Sequence, residues 1–115
     1  MTAQDIIRML DLEPLPAEGG FFKEIYRSRV TILEDNLDME YDGPRSSMTA
    51  IYFLITPESF SAIHRILSDE IFHFYAGDPA EMLQLLPDGS SRIITIGTDL
   101  EAGHQPQVIV PASTW

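Results

Sequence analysis

A chain of 115 residues is long enough for one domain with one modest core, and too short for two independently folding units. Eighteen acidic and seven basic residues give a formal net charge of -11, which repels phosphate groups and argues against nucleic acid and anionic membranes as partners. The lack of cysteine in this sequence leaves His, carboxylate, Tyr and Lys side chains for any catalysis.

The N-terminal residues predict one short helix. Thr2 followed by Asp5 is typical of a capping box, and apolar residues follow at helical spacing up to Leu10. Pro14 and Pro16 then break the pattern. Charged residues interrupt the apolar ones, so this segment lacks the continuous apolar region of a signal peptide, and we expect a cytoplasmic protein.

The remaining chain predicts short strands separated by turns. Residues 21–30 are rich in aromatic and β-branched side chains and predict a strand, whereas residues 31–45 carry five carboxylates and predict a solvated loop without a binding role. Further short apolar stretches, divided by Gly, Pro, Asp and Ser, predict strands at residues 48–55, 60–66, 70–76, 80–86, 92–97 and 107–110. None reaches the roughly 20 apolar residues that cross a bilayer. We therefore predict an all-β sandwich or barrel with a short N-terminal α-helix.

The segment from residue 64 to residue 77 carries the side chains best suited to chemistry. Strand alternation places His64 on a face with apolar neighbours. In the next strand Glu70 shares a face with Phe72 and Phe74, and His73 lies on the opposite face unless a bulge resets the register. A carboxylate among aromatic rings is costly unless it is paired, hydrogen-bonded or bound to a metal. We therefore predict a site built on His64 and Glu70.

This segment resembles the first motif of the cupin superfamily, in which a His-x-His pair, a Glu and a closing Gly follow at set intervals. His64 matches the first His, Glu70 the Glu and Gly77 the closing Gly. Ile66 stands where the second metal-binding His would be. The second motif, Pro-x-Gly-x-x-His, is echoed by residues 111–115, with serine in the place of its Gly, and the chain ends before its His.

Other short sequence segments narrow the resemblance to a family of small cupins of unknown function. They lie in order at residues 18–24, 26–28, 49–54, 64–65, 68–70, 73–77, 97–100, 106–107 and 110–112. The resemblance implies a double-stranded β-helix, the jelly-roll barrel of the cupins. Members of this family run on through further strands, so we expect a single cupin domain over residues 1–115 that lacks the C-terminal strands.

The resemblance implies a small molecule held in a metal-free interior pocket. Its expected ligand-binding residues are Tyr52, His64, Arg65, Glu70, Phe72, Phe74 and Trp115. The aromatic members are more readily explained as plain core than as ligand walls, and His64 and Glu70 have the alternative explanation of a polar network that is satisfied within the protein. Arg27 and Arg65 are candidate anchors for a carboxylate or phosphate, with surface ion pairs as the alternative.

Two enzymatic alternatives stay open. The family is similar to metal-free dTDP-sugar epimerases, which suggests an isomerase or epimerase acting on a sugar-like or oxo-acid substrate, with His64 as general base, Glu70 beside it, and Tyr52 or His73 as proton donor. A metal-dependent oxygenase would need a divalent metal on His64 and Glu70, with His73 or His104 as third ligand, and Ile66 weighs against it. We also predict a homodimer, because an incomplete barrel leaves strand edges open to pairing.

Overall fold

The computed structural model describes residues 1–33 and 43–115, whose regular secondary structure is β-strand apart from one short helix. These residues divide into two compact units, Met1–Ala62 and Ile63–Trp115. The carboxylates of the predicted acidic loop, at residues 34–42, lie outside the described residues. Within the described part of the chain, no helix is long and apolar enough to cross a membrane.

The first unit opens with the predicted helix, α1 (Ala3–Leu10), and its capping box. The Thr2 hydroxyl accepts a hydrogen bond from the Asp5 backbone N–H at 3.2 Å, and the Asp5 carboxylate accepts one from the Thr2 backbone N–H at 2.9 Å. The helix ends at Leu10, and the following residue, the C-cap Asp11, adopts the left-handed conformation. The prediction of a short N-terminal helix is confirmed.

The strands of the first unit form two antiparallel sheets. They are β1 (Glu13–Pro14), β2 (Phe21–Arg27), β3 (Thr31–Ile32), β4 (Arg45–Ser46) and β5 (Thr49–Leu54). One sheet has the order β1-β2-β5, and β3 pairs with β4. The loop predicted from residue 31 therefore begins with a strand, a correction that follows from the backbone pairing of Thr31 with Ser46. Strand β1 was not expected because Pro14 was interpreted as a break, yet proline is tolerated at a sheet edge.

The second unit contains two antiparallel ladders. Its strands are β6 (Glu70–His73), β7 (Ala80–Leu85), β8 (Ser91–Ile96) and β9 (Gln107–Val110). Strand β6 pairs with β9, and β7 pairs with β8. A turn joins β7 to β8, in which Gly89 has a φ of 89° and the Asp88 carboxylate accepts a hydrogen bond from the Ser90 backbone N–H. The four strands predicted in this region are thus confirmed, with β6 ending three residues early.

The prediction of a strand at residues 60–66 is wrong, because no β-ladder of the described structure includes these residues. Their backbone groups bond instead to loops: the Ala62 N–H donates to the Glu18 carbonyl, and the Ile66 carbonyl accepts from the Ser113 N–H. The predicted alternation of side chains nevertheless holds. His64 and Ile66 are half-buried, whereas Arg65 is exposed.

Each ladder of the second unit has a buried face and an exposed one. The buried face, which we call the inner face, carries Gln84, Ile94 and Val108. The opposite face carries two cross-strand pairs of exposed apolar residues, Ile71 with Ile109 and Leu83 with Ile93. Polar and apolar side chains therefore do not divide cleanly between solvent and core, since a glutamine is buried while four large aliphatic residues are exposed.

Candidate functional site

His64 and Glu70 come together as predicted. The His64 Nε2 atom lies 3.9 Å from the Glu70 Oε1 atom, and the two side chains are 28% and 31% exposed. That distance exceeds a direct hydrogen bond and lies within the range of an ion pair. Glu70 opens β6 on the same half-buried face as Phe72, while His64 lies in the irregular segment that precedes the strand.

The segment between His64 and Glu70 is tied to the turn at residues 111–114. The Asp69 carboxylate accepts a hydrogen bond from the Ala112 N–H at 2.8 Å. The Ser113 N–H donates to the Ile66 carbonyl at 2.9 Å. These two bonds attach the segment between His64 and Glu70 to the 111–114 turn at two points. The His64–Glu70 separation therefore depends on that turn.

Arg65 and Trp115, both predicted to bind ligand, contact each other. The guanidinium carbon of Arg65 lies 5.0 Å from the centroid of the Trp115 ring, a cation–π distance. The Trp115 backbone pairs with Leu85 through two hydrogen bonds of 2.7 and 3.0 Å, which extends the edge of β7. Arg65 is therefore packed against an aromatic face, and it forms no ion pair among the residues that the structure describes.

His73 lies away from the His64–Glu70 pair. The β6–β9 register is regular, so the exposed His73 and the half-buried Glu70 and Phe72 occupy opposite faces of β6. The ring of Tyr75 stacks near that of His73, with centroids 6.4 Å apart and planes at 14°. Phe74 lies between these two residues in sequence and is half-buried.

A second group of residues forms an open cleft of about 430 Å³ near His73. It is lined by His73, Phe74, Tyr75, His104, Gln105, Pro106 and Gln107. The His104 Nδ1 atom accepts a hydrogen bond from the Asp99 N–H at 3.3 Å. A Cβ at Gly97 would lie only 2.6 Å from that nitrogen, so the His104 imidazole occupies the space that a side chain at position 97 would need. The sequence placed His104 in a loop and offered no signal for this cleft.

Two residues proposed from the sequence belong to the first unit. Tyr52 lies on β5 and is partly exposed. Arg27, a candidate anion anchor, forms an ion pair with Glu24 in which an Nη2 atom lies 2.6 Å from the carboxylate oxygen. The guanidinium of Arg27 is thus engaged by a neighbouring side chain, in line with its alternative role.

Sequence reasoning missed a polar contact in the second unit between a buried glutamine and an exposed arginine. Gln84 and Arg92 face each other in the β7–β8 register, and Gln84 is 1% exposed. The Gln84 amide oxygen accepts a hydrogen bond from Arg92 Nε at 2.8 Å, and its amide nitrogen donates to the Ile109 carbonyl at 3.1 Å. A glutamine in an alternating strand looks like a solvent-facing residue, so nothing in the sequence indicated its burial.

The donor set does not fit a metal site of three or four protein ligands. Among the residues that the structure describes, no group of three or more His, Cys, Asp or Glu side chains is placed to hold a metal ion. His64 and Glu70 supply two ligands, and Ile66 stands where a third would be expected. We therefore derive no chemical step through a metal at this site.

Comparisons with known proteins agree over most of the chain. A family model described as "Cupin superfamily (DUF985)" matches residues 4–115. An uncharacterized protein of Saccharomyces cerevisiae is 29% identical over an alignment of 111 residues, and the match covers 85% of this chain and 51% of the yeast protein. The chain therefore spans about half the length of this curated relative.

Two solved structures are similar throughout the chain. A hypothetical protein from Leishmania major matches with a TM-score of 0.88 and 34% identity, over 99% of this chain and 67% of that protein. A protein from Shewanella oneidensis matches with a TM-score of 0.82 and 33% identity, over 99% of this chain and 66% of that protein. Their descriptions state no activity.

Proposed function

Because the chain belongs to the DUF985 family of the cupin superfamily, we propose that it binds a small organic molecule at the His64–Glu70 pair. Membership confirms the family resemblance and the all-β jelly-roll fold class with its short N-terminal helix. The observation that carries the proposal is the half-buried placement of two ionisable side chains beside Phe72. Convergent polar side chains beside an apolar surface are the arrangement that small-molecule sites share.

The chemistry of the pair favours a ligand that carries hydroxyl or carbonyl groups. A carboxylate only accepts hydrogen bonds, whereas a neutral imidazole presents one donor and one acceptor. Both side chains are about a third exposed, so an entering molecule can reach them. Phe72, half-buried on the same face of β6 as Glu70, supplies an apolar surface of the kind that ligand pockets share. A sugar-like molecule or an oxo acid meets these requirements.

The binding proposal is tested by native mass spectrometry and calorimetry on the purified protein. We expect a co-purified organic mass, or saturable binding of 2-oxoglutarate, pyruvate or rhamnose. Glu70→Gln and His64→Ala should each weaken that binding roughly tenfold, the loss of one charge-assisted hydrogen bond. Glu81→Gln is the matched control, since it removes the same charge from an exposed position on β7. Equal affinity in all variants would contradict the proposal.

Proton transfer is the second candidate function, favoured by the 3.9 Å separation of the imidazole from a carboxylate. His64 would take a proton from a carbon next to a carbonyl group, and Glu70 would stabilise the resulting imidazolium. Of the two proton donors predicted from the sequence, Tyr52 stays a prediction, whereas His73 lies on the opposite face of β6 from Glu70. Incubation with 2-oxoglutarate in deuterated water should then exchange the carbon-bound hydrogen, and His64→Ala should abolish that exchange. Binding without exchange would leave the protein a binder.

A further inference from the structure

We propose that Arg92, oriented by the buried Gln84, is an anchor for the carboxylate group of a small organic acid. The inference deepens the proposed function, on which it rests only in assigning the anchor and the His64–Glu70 pair to one ligand. The anchor itself stands on its own contacts within β7 and β8.

The charge of Arg92 is not balanced by a carboxylate in the described structure. Between residues 63 and 115 the sequence has seven acidic residues but only two basic ones, Arg65 and Arg92. In the first unit, Arg8, Lys23 and Arg27 each form an ion pair. Arg92 instead meets a neutral amide. In a protein of net charge -11, carboxylates are abundant, so an arginine held by a glutamine is a distinctive arrangement.

The orientation of the Gln84 amide follows from its three hydrogen bonds, one of which runs from its amide nitrogen to the Met82 sulfur at 3.3 Å. The NH₂ group donates to the Ile109 carbonyl, so the amide oxygen must face Arg92. That oxygen engages Nε of Arg92, the nitrogen nearest the chain, at 2.8 Å. The Nη1 and Nη2 groups, which form the planar end of the guanidinium, take no part in this bond. Arg92 as a whole is exposed, so its charged end is accessible to a ligand.

A glutamate at position 84 would not serve the same purpose. Its second oxygen would face the Ile109 carbonyl oxygen, and two acceptors cannot satisfy each other. Its charge would also neutralise Arg92 through an ion pair. The amide therefore orients the guanidinium while leaving its positive charge available to an external anion.

A carboxylate matches the remaining donors best. The two parallel N–H groups at the end of a guanidinium bind both oxygens of one carboxylate. A phosphate offers tetrahedrally arranged oxygens instead of two in one plane, and inorganic phosphate is therefore the competing anion in the test. The ligand class that follows is a small organic acid with a single carboxylate at this end.

The test is a nuclear magnetic resonance titration of the whole chain that follows the arginine Nε–Hε signals. Succinate is added at constant pH and ionic strength, with succinamide as the uncharged probe of the same shape. We expect a saturable shift of the Arg92 signal with succinate and none with succinamide. Arg92→Gln should abolish succinate binding, and Arg92→Lys should weaken it roughly tenfold because the bidentate geometry is lost.

Arg29→Gln is the matched control, since Arg29 is an exposed arginine of the first unit. Succinate affinity should be unchanged in this variant. Backbone amide spectra of each variant establish that it is folded. Equal shifts with succinamide, tighter binding of inorganic phosphate than of succinate, or an equal loss in Arg29→Gln and Arg92→Gln would overturn the carboxylate anchor.

His64→Ala separates the anchor from the proposed function. A weaker succinate affinity in His64→Ala, with the Arg92 shift still present at saturation, supports one ligand that contacts both sites. An unchanged affinity overturns the assignment of both sites to one ligand, while the anchor at Arg92 stands.

Discussion

Ser113 adopts a backbone conformation that suits glycine. Its φ is 62°, in the left-handed region, which costs an L-residue with a side chain about 1–2 kcal/mol. The residue stands at the glycine position of the second cupin motif, and its N–H still donates to the Ile66 carbonyl. The turn of that motif is thus kept although the residue has changed, and it supports the segment that joins His64 to Glu70.

Ser113→Gly should raise the free energy of unfolding by about 1 kcal/mol. Glycine removes the strain of the left-handed conformation in the folded chain, and this gain exceeds the cost of glycine's greater backbone entropy in the unfolded chain. Urea denaturation measures the change. Ser61→Gly is the control, since Ser61 is exposed and is not among the residues with positive φ. There we expect a loss of about 0.5–1 kcal/mol. A loss at position 113 as large as that at position 61 would refute the strain argument.

The candidate site was predictable where a spacing motif marked it. His64 and Glu70 lie six positions apart in a recognisable cupin pattern, and the structure brings them within 3.9 Å. The contact between Gln84 and Arg92 was not predictable, because it depends on which face of β7 is buried and on the distant carbonyl of Ile109. Residues linked by tertiary packing leave no local signature in one sequence.

The helix α1 is the element whose structure depends most on local signals. None of its residues is fully buried, so its capping box, not tertiary packing, defines its beginning. The Thr2 backbone N–H and then the Thr2 hydroxyl donate to the Asp5 carboxylate, and these bonds hold the pKa of Asp5 below its ordinary value. The cap is therefore coupled to the protonation state of Asp5.

Acid should loosen the start of α1. Since the pKa of Asp5 is lower in the folded chain than in the unfolded one, the stability that this carboxylate contributes is complete above its unfolded pKa of 3.8. It is lost as the pH falls through the folded pKa. Carbon-detected titration of the Asp5 carboxyl, followed together with the α1 amide signals, should show both changing below about pH 4. In the Asp5→Asn variant the α1 amide signals should not change over this pH range. A titration midpoint of Asp5 above its unfolded pKa would contradict the prediction.

Strands were predictable where turn residues bounded them. The turn at residues 87–89 placed β7 and β8 within about two residues, and β9 was predicted with its observed bounds. Residues 60–66 have the composition of a strand but bond to Glu18 and Ser113, which are loop positions. The amino-acid composition of a segment indicates how well its side chains suit a pleated surface. A strand also needs a second strand to pair with, and one sequence does not identify that partner.

At the scale of the whole molecule, apolar exposure and net charge act in opposite directions on self-association. Within the described residues, the second unit has two-stranded ladders, and their exposed faces carry isoleucine and leucine in cross-strand pairs. Unpaired strand edges and apolar surface favour association. A charge of -11 on every chain opposes it.

We propose a homodimer whose stability rises with salt. The repulsion between two chains of charge -11 extends over about 30 Å at 0.01 M salt and about 3 Å at 1 M, whereas apolar contacts and backbone hydrogen bonds are not screened. Light scattering over this range of sodium chloride should therefore show the average mass rising toward twice the chain mass of 12.9 kDa. An association that weakened with salt would instead require contacts between opposite charges, and a monomer mass under all conditions would refute the dimer. The direction of the salt effect thus distinguishes apolar or edge pairing from ionic pairing before any interface is mapped.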